Sequence, residues 1–163
     1  DRSVSRGLGD VYKRQDIVAL CRNVIDMVEK IKQTQAEVRF STSLGSLKLT
    51  TDSARLQQVL INLLINATKF TAQGTITLEL VKQTEDTALF SVSDTGCGIS
   101  KENQNKIFNR FEKLDENAQG TGLGLNICSI IAGRLKGEVK LDKNYTGGAR
   151  FLFILPLDSV PDK

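Results

Sequence analysis

Asn62, Asn66 and Lys69 stand in the stretch NLLINATKFT (residues 62–71) at the spacing i, i+4, i+7, which puts all three on one face of a helix. Asn is a mediocre helix former, because its amide competes for backbone hydrogen bonds. Two of them among Ile61, Leu63, Leu64, Ile65 and Ala67 need a reason. The plain one is the solvated face of an amphipathic helix. The chemical one is that two amide oxygens a turn apart suit a hard cation such as Mg2+, which takes oxygen ligands and keeps several waters. A lysine one turn further on can meet a phosphate. Together the three suit a Mg2+–nucleotide.

Two glycine-rich runs lie downstream. In DTGCGI (residues 94–99) an acidic residue ends an apolar stretch, and Gly96 and Gly98 bracket Cys97. Such glycines let backbone approach a flat ligand closely. An ionised Asp94 accepts hydrogen bonds and can receive an exocyclic amine such as adenine N6. In GTGLGL (residues 120–125) three glycines precede a helical pattern, so backbone N–H groups and a helix N-terminus can hold phosphate. No Lys-Ser/Thr follows, so this is not a Walker A loop. Each run alone also reads as a tight turn.

These residues need elements to position them. Ile17, Leu20, Cys21, Val24, Met27, Val28 and Ile31 fall at helical spacing from Asp16 on. Val38 with Phe40, and Leu47 with Leu49, alternate as two short strands. Asp52 can cap a helix with Leu56, Val59, Leu60, Leu63, Leu64, Ala67 and Phe70 on its apolar face. Gly74 ends the connection that follows it. Ile76, Leu78 and Leu80, then Ala88, Phe90 and Val92, predict a strand pair joined around residues 83–86. Residues 101–109 read as a short helix and 111–121 as a mobile loop. A third long helix runs through Leu125, Ile127, Cys128, Ile131, Ala132 and Leu135, with Gly137 as its stop. Val139 and Leu141 mark a strand, residues 145–148 a turn, and FLFIL (residues 151–155) a final buried strand before Pro156. The order predicts an α+β fold: a two-layer α/β sandwich with a mixed, mostly antiparallel sheet of about five or more strands and three long helices on one face.

The 163 residues suffice for one domain with a core, and 40% hydrophobic with 25% charged residues is ordinary for a globular protein. No apolar run reaches the ~18 residues of a membrane span, and no signal-peptide pattern is present. Cys21, Cys97 and Cys128 are an odd count without metal spacing, which fits a reducing compartment. There is no histidine, which removes His-based catalysis, the commonest metal ligand and any phosphohistidine within this chain. Residues 10–15, DVYKRQ, match the translation of a transposon-end sequence used in sequencing adapters. Residues 1–15 are therefore set aside as a non-native segment, with the domain expected over 16–158 and a tail over 159–163. Setting them aside removes four basic residues (Arg2, Arg6, Lys13, Arg14) and two acidic ones (Asp1, Asp10), and the formal charge falls from +3 to +1. Nothing in it calls for nucleic acid.

In order, NxxxNAxKFT, DTGCGI, IFNRF (residues 107–111) and GTGLGL resemble the N, G1, F and G2 boxes of the histidine kinase catalytic and ATP-binding domain. That domain belongs to a superfamily with DNA gyrase B, heat-shock chaperones and mismatch-repair ATPases. The resemblance covers about residues 16–157, including RLQQVLINLL before the asparagines and the FLFILP ending. It implies a Bergerat-type fold binding Mg-ATP, with Asn66 as a Mg2+ ligand, Asn62 its polar partner near the phosphates and Lys69 a phosphate contact. These three form the expected catalytic set. It implies that Asp94 receives adenine N6, with Gly96, Gly98 and Ile99 shaping the pocket. Phe108 and Phe111 would anchor the base of the ATP lid, and Lys113 would reach the γ-phosphate. Gly120, Gly122 and Gly124 would line the phosphates, with Thr121 and Leu123 between them. Cys97 is expected to have no chemical role.

ATP-hydrolysing members of the superfamily carry a water-activating Glu four residues before the metal Asn; here that residue is Asn62. An amide cannot take a proton at neutral pH, so the site lacks that base. This suits transfer to a nucleophile already competent, such as neutral imidazole. The resemblance thus implies transfer of the γ-phosphoryl group to a histidine on a dimerisation/phosphoacceptor helical hairpin absent from this chain, and onward to a response regulator receiver domain. The fragment is expected to be a cytoplasmic monomer without membrane contact, its parent a bacterial protein and in some cases an inner-membrane sensor. A transfer-incompetent nucleotide-binding module, and an ATPase or serine kinase of the same superfamily, are the alternatives.

Overall fold

The computed structural model describes residues 12–109 and 124–158. In chain order these form β1 (Tyr12–Asp16), α1 (Ile17–Ile31), β2 (Glu37–Thr42), β3 (Lys48–Asp52), α2 (Ser53–Phe70), β4 (Thr75–Lys82), β5 (Thr87–Asp94), the short α3 (Lys101–Gln104), α4 (Gly124–Arg134), β6 (Glu138–Leu141) and β7 (Arg150–Pro156). Five strands make one sheet in the order β2-β4-β5-β7-β6, parallel only between β2 and β4. The expected mixed, mostly antiparallel sheet is present. α1 packs on α2 and α2 on α4.

The alternation read in the sequence is the alternation buried. Ile76, Leu78 and Leu80 of β4, Ala88, Phe90 and Val92 of β5, and Phe151, Phe153 and Leu155 of β7 are all inaccessible or nearly so. Phe90 lies opposite Phe153 in register, and their rings stack at 5.4 Å. Leu56, Val59, Leu60, Leu63 and Leu64 of α2 complete the core. Each such side chain contributes about 1.5–3 kcal/mol by leaving water. β7 is not buried throughout: Leu152 and Ile154 on its other face are only partly covered.

Local chemistry sets the ends of the helices. The Asp16 carboxylate caps α1 through Val18 N–H at 3.1 Å and takes Leu47 N–H at 3.1 Å. Asp52 caps α2 through Ala54 N–H at 3.1 Å and Arg55 N–H at 3.2 Å, as its place predicts. Glu29 ties the end of α1 to β2, accepting from Val38 N–H at 2.8 Å and Lys32 Nζ at 3.0 Å. The helix expected over 101–109 is shorter than predicted, since only Lys101–Gln104 is α-helical and turns follow. On α1 the buried stripe runs through Val18 and Ile25, while Met27 and Ile31 are 43% and 55% exposed. α4 is closed by Lys136, not Gly137. Lys136 takes the left-handed conformation at φ 64, with Gly137 N–H on Ala132 O at 2.8 Å and Lys136 N–H on Gly133 O at 3.0 Å, a Schellman motif. Gly137 serves a close approach instead, since a Cβ there would lie 2.4 Å from Ile154 O.

Residues 12–15, set aside in the sequence reading, are structured. With Asp16 they pair antiparallel with Lys48–Asp52 as a separate two-stranded ribbon. The ladder uses backbone groups, which any non-proline sequence supplies.

Candidate functional site

Asp94 ends β5, is 4% exposed and is the most buried carboxylate among the described residues. Its Oδ1 accepts Gly96 N–H at 2.9 Å and Ala149 N–H at 3.1 Å. Burial raises its pKa, and those two bonds oppose the rise. The two donors arrive from different directions. Gly96 follows in the same loop, whereas Ala149 comes from the chain entering β7, which also accepts Asp94 N–H at 2.9 Å. Tyr145 Oη reaches Asp94 O at 3.5 Å, and Arg150 lies 4.2 Å over the Tyr145 ring.

The glycines of DTGCGI act by close approach. A Cβ on Gly96 would lie 2.2 Å from Phe70 O and 2.8 Å from Thr71 Oγ1. With Cys97 N–H on Phe70 O at 3.3 Å, this seats the loop on the C-terminal end of α2. Gly98 has φ +74, and Gly148, with φ +149, leaves no room for a Cβ, which would fall 1.9 Å from Asp94 O. Ile99 packs on the core. Cys97 is exposed. Thr71 is inaccessible, and its Oγ1 has no hydrogen-bond partner among the described residues.

On α2, Asn62 and Asn66 are half-buried and Lys69 is exposed. Cys128 of α4 is inaccessible, with its Sγ 3.7 Å from Val59 O of α2. That contact lies where α2 and α4 pack. Phe108 packs edge-to-face on Phe151 at 6.1 Å, and its carbonyl accepts Asn126 Nδ2 at 3.1 Å. Gly124 is the first residue of α4. Phe111, Lys113, Gly120, Thr121, Gly122 and Leu123 lie outside the described residues.

The structure thus brings the C-terminal end of α2 against the loop after Asp94, and α2 against α4. Sequence reasoning missed Ala149, Gly148, Thr71 and Asn126. Only the Gly147-Gly148 pair carried a local signal. Among the described residues no three His, Cys, Asp or Glu side chains gather as a metal site. A cation held by amide oxygens, water and a ligand's own phosphates needs no such cluster. Asn62 and Asn66 fit that donor set for Mg2+.

Residues 51–159 match the family model described as histidine kinase-, DNA gyrase B- and HSP90-like ATPase. The adaptive-response sensory kinase SasA of Nostoc sp. is 42% identical over 109 residues, 65% of this chain and 27% of SasA. Full-length ShkA, solved in complex with AMPPNP, superposes with a TM-score of 0.79 at 30% identity, over 89% of this chain and 31% of that one. The catalytic domain of histidine kinase ThkA, nucleotide free, gives 0.77 at 30% identity, over 90% of this chain and 98% of that domain. ThkA in complex with response regulator protein TrrA gives 0.75 at 29% identity, over 91% of this chain and 42% of that one. The chain belongs to this ATPase family, and within it to the histidine kinase catalytic domains. It spans about a quarter to a third of the full-length kinases SasA and ShkA.

Proposed function

We propose that this chain binds Mg-ATP and donates the γ-phosphoryl group to a histidine on a dimerising helical hairpin of a parent sensor kinase. The observation that carries the reading is Asp94. A carboxylate this buried, with Oδ1 taken by two backbone N–H groups, presents Oδ2 as the acceptor for one exocyclic amine. Adenine offers one at N6. The glycines beside it let the loop after Asp94 pack closely on the end of α2 and on the chain entering β7.

The other residues take roles their chemistry allows. Asn66 and Asn62 offer amide oxygens to a Mg2+ that arrives with the nucleotide, and Lys69 offers a charge to its phosphates. Bound Mg2+ would neutralise charge on the transferring phosphoryl group. Neither Asn can act as a general base, so the site positions and does not deprotonate. That favours a histidine acceptor over water, and weighs against the ATPase and serine kinase alternatives. The chain has no histidine, so the acceptor belongs to another segment or molecule. Onward transfer to a response regulator is supported by the ThkA–TrrA complex. Phe111 and Lys113, with the backbone from Gly120 to Gly124, complete the proposed nucleotide contacts.

Calorimetric titration of the chain with a non-hydrolysable ATP analogue, with and without Mg2+, tests the reading. Binding should depend on Mg2+ in the wild type and lose that dependence in Asn66→Ala. Absence of binding by a folded wild-type chain overturns it.

A further inference from the structure

Arg150 belongs to none of the sequence motifs, yet its side chain joins three stretches of chain beside Asp94. In register it lies opposite Ser93, and its Nε–H donates to Ser93 Oγ at 2.7 Å. A guanidinium nitrogen lies 3.8 Å from Asp142 Oδ2, and the group stands 4.2 Å over the Tyr145 ring. Tyr145 Oη in turn reaches Asp94 O at 3.5 Å. We infer that Arg150 is a positioning residue for Asp94: it pins the turn 142–149 to the end of β5 and so keeps the Ala149 N–H on the carboxylate. This role rests on the nucleotide reading above.

The pairing of β5 with β7 ends at Ser93 and Arg150. One residue further, Asp94 gives its N–H to Ala149 O at 2.9 Å, while Ala149 gives its own N–H to Asp94 Oδ1 at 3.1 Å. In a regular antiparallel ladder that second N–H would return to the backbone carbonyl opposite. Here it serves the carboxylate assigned to the base. Its place depends on the turn before it. Gly147 and Gly148, both with positive φ, bring no side chain that could fix that turn. Arg150 supplies the hold from the other side of Ala149. Side chains alternate across a sheet, so Asp94 shares a face with the buried Val92, and Ser93 and Arg150 share the opposite one. Arg150 thus stands across the sheet from a ligand held by Asp94 and acts on it through the backbone. The competing account is an ordinary ion pair with Asp142. A half-exposed pair at this separation contributes little.

The two accounts separate on two substitutions. Arg150→Lys keeps the charge for Asp142 but loses the planar group that meets Ser93 and Tyr145 together. Ser93→Ala removes the β5 anchor and leaves the ion pair whole. Each should weaken binding of the ATP analogue by about 3- to 10-fold, the range of one neutral hydrogen bond. Ser93→Thr, which restores the hydroxyl, should bind as the wild type does. Full affinity in Arg150→Lys or in Ser93→Ala overturns the assignment. In the nucleotide-free chain, NMR should show the Ala149 N–H exchanging faster with solvent in both weakened variants, with the amides in the middle of β7 unchanged. An unchanged Ala149 N–H, or faster exchange along the whole of β7, also overturns it. A measurement on the unsubstituted chain covers variants that fail to fold. The Arg150 Nε–H should exchange more slowly than that of the exposed Arg39, and equal rates overturn the assignment. If the wild type binds no analogue, the nucleotide reading falls, while exchange at Ala149 still decides whether Arg150 holds the turn.

Discussion

Burial holds the Asp94 carboxyl above its ordinary range, so between the unfolded and native pKa values the native chain binds a proton that the unfolded chain does not. Stability from this group therefore rises as pH falls through the native pKa, and is lost as pH climbs past it. Nucleotide binding runs the other way, because only the ionised carboxylate accepts from an amine with Oδ2. Thermal unfolding and analogue titrations across this range should show opposite slopes, and Asp94→Asn should flatten both. The same variant should lose about 10- to 100-fold in affinity at neutral pH, as expected for a hydrogen bond to a charged group. Gly96→Ala tests sterics alone. Its Cβ would lie 2.2 Å from a backbone oxygen, which cannot rotate away. It should lower stability by about 2 kcal/mol or more in denaturant titration, with analogue binding lost beyond tenfold. At this scale Asn62, Asn66 and Asp94 were legible because their signals are local: helical spacing, and an acid beside glycines. Ala149 was not, because its N–H reaches Asp94 across 55 positions of sequence and carries no side-chain signature.

At the level of elements, local periodicity and capping were legible and pairing was not. The α2 stripe and the Asp52 cap follow from spacing and from one side chain. That β2 runs parallel to β4 while β3 leaves the sheet for β1 depends on tertiary packing, which alternation within a strand cannot report. The shifted stripe on α1 has a similar cause. Val18 and Ile25 face the core, while Met27 and Ile31 pass its edge. The end of α4 gives a clean test. A non-glycine residue in the left-handed region costs roughly 1–2 kcal/mol, more than the ~0.5–1 kcal/mol of chain entropy that glycine adds to the unfolded state. Lys136→Gly should therefore stabilise the chain by up to about 1 kcal/mol, raising the melting temperature by about 2–4 °C in calorimetry. Gly137→Ala should destabilise it, because a Cβ there would meet Ile154 O at 2.4 Å.

The whole molecule sets what a transfer assay must look like. With no histidine, the chain incubated with γ-labelled ATP should show no acid-labile phosphohistidine, whatever its affinity for nucleotide. Adding a separately made dimerising hairpin from a parent kinase should restore label on the hairpin, and Asn66→Ala should abolish it. The rate will be low for a physical reason. In a covalently joined kinase a flexible link holds the acceptor at an effective concentration in the mM range. At about 10 μM hairpin the encounter is about a hundredfold less frequent, and label should grow linearly with hairpin concentration instead of saturating. Tight analogue binding with no transfer at any hairpin concentration would favour a transfer-incompetent interaction module. Phosphate release by the chain alone, lost in Asn66→Ala, would favour an ATPase and contradict the argument from Asn62. Linear growth of label with hairpin concentration is the one result that requires both a bound nucleotide and an acceptor supplied from outside the chain.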